Sequence, residues 1–238
     1  MSVCTLIIDG HNIAIASDAT ILDAAKEVGI DIPKLCYLEG LSSVGACRLC
    51  MVEVTGENKL LAACVTTVQE GMEIQTQTPK LQNYRRMTVE MLFAEGNHVC
   101  SFCVANGNCE LQDMAVTVGM DHSRFPYQFP TRSIDVSHSQ FGIDRNRCIL
   151  CTRCVRVCDE IEGAHVWDVA NRGDQCDIIA GLDQPWGEVS ACTSCGKCVD
   201  ACPTGAIFRQ GTTTGEKERD RSKLEFLVNA RQNQEWSR

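Results

Sequence analysis

Residues 147–160 read RCILCTRCVRVCDE, and residues 192–207 read CTSCGKCVDACPTGAI. Each stretch contains a C-x2-C-x2-C-x3-C run, and each has a Gly-Ala pair soon after its fourth cysteine. Runs with this spacing place three thiolates on one [4Fe–4S] cluster, while the fourth cysteine binds a second cluster. The two copies therefore predict a duplicated unit with approximate two-fold symmetry.

This repeat predicts two [4Fe–4S] centres that exchange one ligand between the copies. Zinc is the alternative occupant, but zinc sites favour two cysteine pairs separated by a longer spacer. The first copy is followed by Asp159 where the motif has proline, and we expect that departure to affect only the exit turn. The predicted ligands are Cys148, Cys151, Cys154 and Cys202 for one centre and Cys158, Cys192, Cys195 and Cys198 for the other.

A second constellation lies near the N-terminus and has the spacing C-x10-C-x2-C-x13-C. Four thiolates spread in this way suit the smaller [2Fe–2S] cluster, with two ligands for each iron. Gly45 and Ala46 place small residues where the backbone must pass close to the cluster. A four-cysteine zinc site is the alternative. The predicted ligands are Cys36, Cys47, Cys50 and Cys64.

Between these two regions, residues 95–112 read EGNHVCSFCVANGNCELQ. The three thiolates of Cys100, Cys103 and Cys109 need a fourth partner to hold a [4Fe–4S] cluster, and His98 is the nearest candidate. A neutral imidazole would raise the potential of this cluster relative to an all-cysteine one. His122, Asp113 or water are the alternatives for the fourth ligand. Cys4 and Cys176 stay unassigned and are interpreted as small buried hydrophobic residues.

The bulk composition supports metal ligation. The chain has 17 cysteines in 238 residues, an odd number that does not fit complete disulfide pairing. Residues 1–12 have no basic region and no long apolar stretch, so we expect a cytoplasmic, reducing location, with any membrane attachment only through a complex. The longest apolar run, residues 60–65, is far below the roughly 20 residues of a membrane span. A net charge of −9 disfavours nucleic-acid binding.

The local patterns predict an α+β chain. Residues 2–8, 13–17, 51–55 and 72–76 are β-prone, whereas residues 20–28 and 79–95 carry helix signals. The GTTTG stretch at residues 211–215 is interpreted as a flexible joint. A helical segment with Leu224, Leu227 and Val228 on one face is expected after it, either as a partner-docking helix or as a solvated helical end. The expected organisation is a [2Fe–2S] domain at residues 1–78, a [4Fe–4S] segment with one histidine and three cysteine ligands at 79–120, a linker at 121–143, a double [4Fe–4S] domain at 144–210 and a polar tail at 211–238.

The order of these motifs, together with the stretch VGACRLCMVEV at residues 44–54, resembles the N-terminal part of the large iron–sulfur subunit of respiratory NADH:quinone oxidoreductase. It also resembles the front ends of iron-only hydrogenases and of NAD-dependent formate dehydrogenases. The length of the chain is most similar to the small diaphorase subunit of bidirectional, NAD(P)-reducing nickel–iron hydrogenases. In the family the histidine is usually separated from the first cysteine by three residues, whereas His98 lies two positions before Cys100.

The resemblance implies a β-grasp N-terminal domain and a bacterial-type double ferredoxin domain. It implies an electron-transfer subunit without an active site of its own, carrying one [2Fe–2S] and three [4Fe–4S] clusters. The implied partners are a flavoprotein that binds FMN and NAD(P), nickel–iron hydrogenase subunits and a further small [2Fe–2S] subunit. The alternative is the equivalent relay subunit of a formate dehydrogenase or of a quinone-reducing NADH dehydrogenase.

Overall fold

The computed structural model describes residues 2–219 and residue 221. The helical face expected at Leu224, Leu227 and Val228 lies outside the described residues. Along the chain come a sheet with one helix, then two helices, then a unit of short strands and helices. Within the described part, no helix is both long and apolar enough to cross a lipid bilayer.

The first unit is a five-stranded sheet with the order β2-β1-β5-β3-β4. Strands β1 and β5 are parallel, and the remaining neighbours are antiparallel. A two-residue turn at Asp9 and Gly10, both with positive φ, joins the first hairpin. The elements of this unit are β1 (Val3–Ile8), β2 (His11–Ala16), α1 (Ile21–Glu27), β3 (Met51–Val54), β4 (Leu61–Ala62) and β5 (Glu73–Gln75).

Helix α1 lies within residues 20–28, for which the sequence predicts a helix, and is one residue shorter at each end. The Thr20 side chain caps it in a reciprocal capping box with Asp23, and Gly29 follows its end with a φ of 71°. Its apolar face is buried against the sheet in one continuous core. The loops outside these regular elements carry the four N-terminal cysteines, so the sheet acts as a rigid base for them.

Two helices form the middle of the chain, α2 (Pro79–Glu95) and α3 (Glu110–Thr117). Thr78 caps α2 by accepting a hydrogen bond from the Leu81 amide, and Pro79 occupies the first helical position, where no backbone donor is needed. Val89 of α2 and Leu111 of α3 share a buried cluster with Leu35 and Leu49 of the N-terminal loop. This cluster joins the middle segment to the first unit.

The third unit contains a three-stranded sheet, β10-β7-β6, and a separate hairpin of β8 and β9. Strands β6 and β7 begin within residues 121–143, so the end of the expected linker belongs to this sheet. Their short length left no readable alternation in the sequence. The elements are β6 (Ile134–Asp135), β7 (Phe141–Asp144), α4 (Arg153–Arg156), a π-helical continuation (Val157–Glu162), β8 (Trp167–Ala170), β9 (Asp177–Ala180), α5 (Lys197–Ala201) and β10 (Ile207–Arg209).

The first and third units are packed together rather than strung on a linker. Leu41, from the N-terminal loop, is buried in the core of the third unit, which contains Phe141, Trp167 and Trp186. Arg156 donates hydrogen bonds to the carbonyls of Ser42 and Cys36, across the same contact. The cysteine-bearing loops of the two units therefore face one another.

Candidate iron–sulfur sites

The four N-terminal cysteines converge above the first sheet. The Sγ atoms of Cys50 and Cys64 are 3.3 Å apart, and the Cys47 amide donates a 3.5 Å hydrogen bond to the Cys36 Sγ. The Leu35 amide donates to the Cys47 Sγ at 3.4 Å. Hydrogen bonds from the Cys47 and Cys64 side chains lower the pKa of the Cys36 thiol. A hydrogen bond from the Cys64 side chain likewise lowers the pKa of the Cys50 thiol, whereas the pKa values of the two donors, Cys47 and Cys64, are raised.

Gly45 lies in the left-handed region, at a φ of +61°, beside this set. A Cβ atom there would come within 3.2 Å of a Val65 side-chain methyl group. The loop therefore requires glycine both for its backbone conformation and for the close approach of the residue that follows Cys64.

The second site surrounds an empty space of about 310 Å³, which we name the histidine pocket; its lining includes His98, Cys100, Cys103, Cys109, Arg147, Thr204 and Gly205. The buried Nε2 atom of His98 has no hydrogen-bond partner among the described residues. Burial lowers the pKa of His98 to about 4, so its imidazole is neutral at pH 7. A buried neutral nitrogen without a hydrogen-bond partner, beside three thiols, fits the role of a fourth metal ligand.

The other candidates for the fourth ligand do not line the histidine pocket. His122 is largely exposed and lies 2.9 Å from the Asp121 carboxylate. Asp113 is exposed on α3. Gly205 lies on the pocket wall, where a Cβ atom would come within 2.4 Å of the Cys103 Sγ. Because position 205 is glycine, the Cys103 Sγ has space that any larger residue there would occupy.

The third site, which we name the inner pocket, is an empty space of about 340 Å³. Three of its four cysteines are buried, and the Leu150 amide donates a 3.4 Å hydrogen bond to the Sγ of Cys148. Three of its cysteines come from the first copy of the repeat and one from the second. Its cysteines are Cys148, Cys151, Cys154 and Cys202.

The fourth site, which we name the outer pocket, is a space of about 320 Å³ that is partly open to solvent. Trp186 is fully buried, and its indole N–H donates a 3.3 Å hydrogen bond to the Cys192 Sγ. The Val166 amide donates to the Cys158 Sγ at 3.4 Å. Cys195 is exposed, whereas none of the inner pocket's cysteines is. Its cysteines are Cys158, Cys192, Cys195 and Cys198.

The donor sets of these pockets suit clusters in three respects. All the predicted cysteines are free thiols, although most of them are buried. The three pockets have similar sizes, and each is bordered by one predicted set. Backbone and indole N–H groups point at individual sulfurs, an arrangement that stabilises negative charge on a cluster. No three ligand-type side chains among the described residues converge on the position of a single metal ion.

Sequence reasoning missed the buried cations around these sites. Arg85 is fully buried and donates hydrogen bonds to the carbonyls of Leu49 and Met51, on either side of Cys50. Arg156 donates to the carbonyls of Cys36 and Cys151. Burial lowers the pKa of Arg85. Neither guanidinium forms an ion pair with a carboxylate of the described residues, so both bring uncompensated positive charge to the sites.

Arg153 is a buried cation of another kind, because it has an acidic partner. Its guanidinium makes two 2.9 Å hydrogen bonds to Glu110, the residue after Cys109, and also donates to the Tyr37 carbonyl at 2.8 Å. Arg153 itself lies between Cys151 and Cys154. One side chain therefore ties together segments from three of the four cysteine sets.

The two unassigned cysteines stay apart from all four sets. Cys4 is half-buried on β1, and Cys176 is half-buried before β9. Neither lines the histidine, inner or outer pocket.

Family models match three successive regions of the chain. Residues 2–79 match the 2Fe-2S iron-sulfur cluster binding domain, and residues 85–124 match the NADH-ubiquinone oxidoreductase-G iron-sulfur binding region. Residues 140–208 match the ferredoxin-like domain of NADH-quinone oxidoreductase subunit 3. These matches confirm a [2Fe–2S] domain followed by [4Fe–4S] regions.

Several known proteins resemble most of the chain. It is 36% identical over 204 residues to the gamma subunit of the NAD-reducing hydrogenase HoxS of Cupriavidus necator, covering 85% of this chain and 86% of that subunit. It is 39% identical to the alpha subunit of the NADPH-Fe(3+) oxidoreductase of Geobacter sulfurreducens, but it spans only 24% of that subunit's length. A crystal structure of an NAD+-reducing [NiFe]-hydrogenase in the H2-reduced state superposes with a TM-score of 0.83 at 34% identity, covering 88% of each chain.

Proposed function

Because the chain belongs to the family of the HoxS gamma subunit of NAD-reducing hydrogenase, we propose that it relays electrons between a flavoprotein that binds FMN and NAD(P) and a nickel–iron hydrogenase module. The relay uses one [2Fe–2S] and three [4Fe–4S] clusters. A bound iron–sulfur cluster supplies one-electron chemistry, with a potential set by its ligands, hydrogen bonds and burial. A further small [2Fe–2S] subunit completes the proposed set of partners, in a cytoplasmic complex.

The observation that carries this proposal is the adjacency of the four cysteine sets. Thr204 lines both the histidine pocket and the inner pocket. Arg156 joins the carbonyl of Cys36, from the N-terminal set, to that of Cys151, from the inner pocket. The inner and outer pockets are each lined by three cysteines from one copy of the repeat and one from the other. Electron tunnelling slows steeply with distance, so sites that share walls are what a relay needs.

In this proposal the chain's own residues have three tasks. The cysteines and His98 hold the clusters, with the inner and outer sets exchanging Cys202 and Cys158 between the two copies. Amide groups and the Trp186 indole donate hydrogen bonds to the sulfurs, and Arg85 and Arg156 place positive charge beside them. The buried walls exclude water and keep neighbouring sites at fixed separations.

The direct test is purification of the native complex under anaerobic conditions through an affinity tag on this chain. We expect FMN, nickel and H2-dependent reduction of NAD(P)+. A Cys151→Ala variant should lose electron transfer from H2 to NAD(P)+. A Cys176→Ala variant is the matched control and should keep it, because that half-buried cysteine lies outside every set. Copurification of a formate-oxidising or quinone-reducing enzyme instead would refute the hydrogenase assignment.

The proposed role of His98 has its own test. Replacement of an imidazole by a thiolate adds negative charge to the cluster, so His98→Cys should lower the potential of one [4Fe–4S] centre. The other three centres should keep their potentials. A redox titration followed by electron paramagnetic resonance (EPR) measures all four, and an unchanged titration in this variant would show that His98 is not a ligand.

A further inference from the structure

Residues 211–217 form a strap rather than the flexible joint that the GTTTG stretch suggests. The Gly215 amide donates to the Cys103 carbonyl at 3.1 Å, and the Lys217 amide donates to the Val104 carbonyl at 2.8 Å. In the opposite direction, the Asn108 side chain donates to the Lys217 carbonyl at 2.9 Å. These bonds hold the strap against the loop that carries the cysteines of the histidine pocket.

The strap delivers one ammonium group to the protein interior. Lys217 is only 3% exposed. Its Nζ atom donates to the carbonyls of Thr204 at 2.5 Å, Ile207 at 2.8 Å and Cys202 at 3.4 Å. All three acceptors are neutral, and no carboxylate of residues 2–219 or 221 forms an ion pair with it. A buried ammonium without an anion is costly. No carboxylate among the described residues therefore balances the positive charge of Lys217.

Lys217 lies between two of the predicted cluster sites. Thr204, whose carbonyl accepts the 2.5 Å bond, lines the histidine pocket on one side and the inner pocket on the other. Cys202, another acceptor, also borders the inner pocket. Clusters with thiolate ligands carry net negative charge, which grows by one on reduction. We propose that Lys217 is the shared counter-charge of the clusters in the histidine and inner pockets, and that it raises both of their potentials.

The chemistry of this role is a fixed charge, with no bond made or broken. On reduction each cluster takes up one electron from an external donor, and Lys217 keeps its three N–H bonds. A positive charge stabilises the reduced state more than the oxidised one because the reduced cluster is more negative. Two cations lie beside the outer pocket, and neither is both buried and unpaired: Lys197 pairs with Glu162, and Arg209, whose guanidinium lies over the Phe141 ring, is exposed.

The inference rests on the proposed cluster sites, and its experiment separates the two. Lys217→Gln keeps a hydrogen-bond donor but removes the charge, whereas Lys217→Arg keeps the charge. Both are studied in the full chain within its native complex, by EPR-monitored titration with dithionite. In Lys217→Gln we expect the reduction constant of two [4Fe–4S] centres to fall at least tenfold, which is 59 mV for a one-electron couple. The [2Fe–2S] and outer centres should not move, and Lys217→Arg should stay near the native potentials.

Three outcomes would overturn the inference in a protein with full iron content. They are unchanged potentials in Lys217→Gln, an equal shift of all four centres, or a shift in Lys217→Arg as large as in Lys217→Gln. If Lys217→Gln fails to retain its clusters, Lys217→Arg decides: retention at native potentials supports a role for the charge, and loss of the clusters there refutes it. A native protein that lacks iron would instead contradict the cluster sites themselves.

Discussion

In the first copy of the repeated cysteine run, Leu150 and Thr152 have positive φ angles of 51° and 57°. In the second copy, Ser194 and Gly196 occupy the matching positions, with φ angles of 56° and 75°. The same spacing therefore produces the same turn around the central cysteine, even with a leucine or threonine in a region that favours glycine. The left-handed backbone conformation at these positions therefore follows from the cysteine spacing and not from the identity of the residues between the cysteines.

Beyond the fourth cysteine the copies diverge. Residues 157–162 continue the helix of the first copy as a π-helical segment that ends at Gly163, with a φ of 72°. Helix α5 of the second copy ends at Ala201, directly before Cys202 and Pro203. Proline disfavours helical backbone at the residue before it, whereas Asp159 allows the helix to go on. The departure from the motif at Asp159 thus changes an element, which is more than the exit turn we expected.

The surroundings of the two copies differ more than their backbones. The inner pocket lies against the N-terminal unit and beside Arg156 and Lys217, whose positive charges have no acidic partner among the described residues. The outer pocket has an exposed cysteine, Cys195, and a cation, Lys197, that is already paired. Equal ligand spacing can therefore give two clusters of unequal potential and unequal protection from solvent.

Loss of a cysteine ligand should have the largest effect. Removal of the fourth cysteine of one copy should abolish the cluster that the first three cysteines of the other copy hold. Cys202→Ala is expected to remove the cluster of the first three cysteines of the first copy, and Cys158→Ala the cluster of the second copy. Iron analysis should show about four fewer iron atoms per chain in each case. EPR of the reduced protein identifies the missing centre, and Cys4→Ala is the control. Loss of the same-copy cluster would refute the exchange of ligands.

Removal of a buried cation should cost much more at the inner pocket than at the outer one. Arg156→Met leaves the carbonyls of Ser42, Cys36 and Cys151 without their donor, so the free energy of unfolding should fall by about 4 kcal/mol. Lys197→Met breaks a partly exposed ion pair with Glu162 and should cost about 1 kcal/mol. Chemical denaturation under anaerobic conditions measures both, and equal costs would contradict the distinction between the pockets.

An exchange of the exit residues should affect one copy only. Asp159→Pro removes a helical N–H and places a ring inside the segment that runs to Glu162, so it should destabilise the protein by about 3 kcal/mol. Pro203→Ala lies outside any helix and should change stability by less than about 1 kcal/mol. The same denaturation measurement applies. A neutral Asp159→Pro variant would show that the helical continuation does not matter to the fold.

The smallest effect is expected at the outer pocket. Trp186→Phe removes the indole N–H that donates to the Cys192 Sγ but keeps most of the buried ring. One neutral hydrogen bond fewer should lower the potential of that centre by less than about 59 mV, a tenfold change for one electron. Redox titration should show no shift at the inner pocket. A shift at both pockets would mean that Trp186 acts through the packing of the whole unit.

Much of the organisation could be predicted because its signals are local. Helix α1 carries its cap at Thr20 and its stop at Gly29, and each cysteine run brings three potential ligands to one turn. The structure brings each predicted set together, including His98 at the histidine pocket, while ligation itself stays a prediction. The match of residues 140–208 to a ferredoxin-like domain confirms the nature of the third unit.

The remainder depended on contacts between distant parts of the chain. Arg156 and Lys217 have the composition of surface residues, and only the folded chain shows that both are buried against backbone carbonyls. Residues 211–215 look flexible because they are glycine and threonine, yet tertiary hydrogen bonds hold this segment. Strand β6 has two residues and exists because β7 lies beside it. Such features carry no period or motif from which a sequence could predict them.

The central claim is that fifteen cysteines and His98 hold four iron–sulfur clusters. It is tested most directly by measuring iron, zinc and acid-labile sulfide in the folded protein prepared without oxygen. The account predicts about 14 iron atoms per chain, an equal amount of sulfide and no stoichiometric zinc. A folded, colourless protein that contains zinc, or neither metal, and no labile sulfide would contradict it.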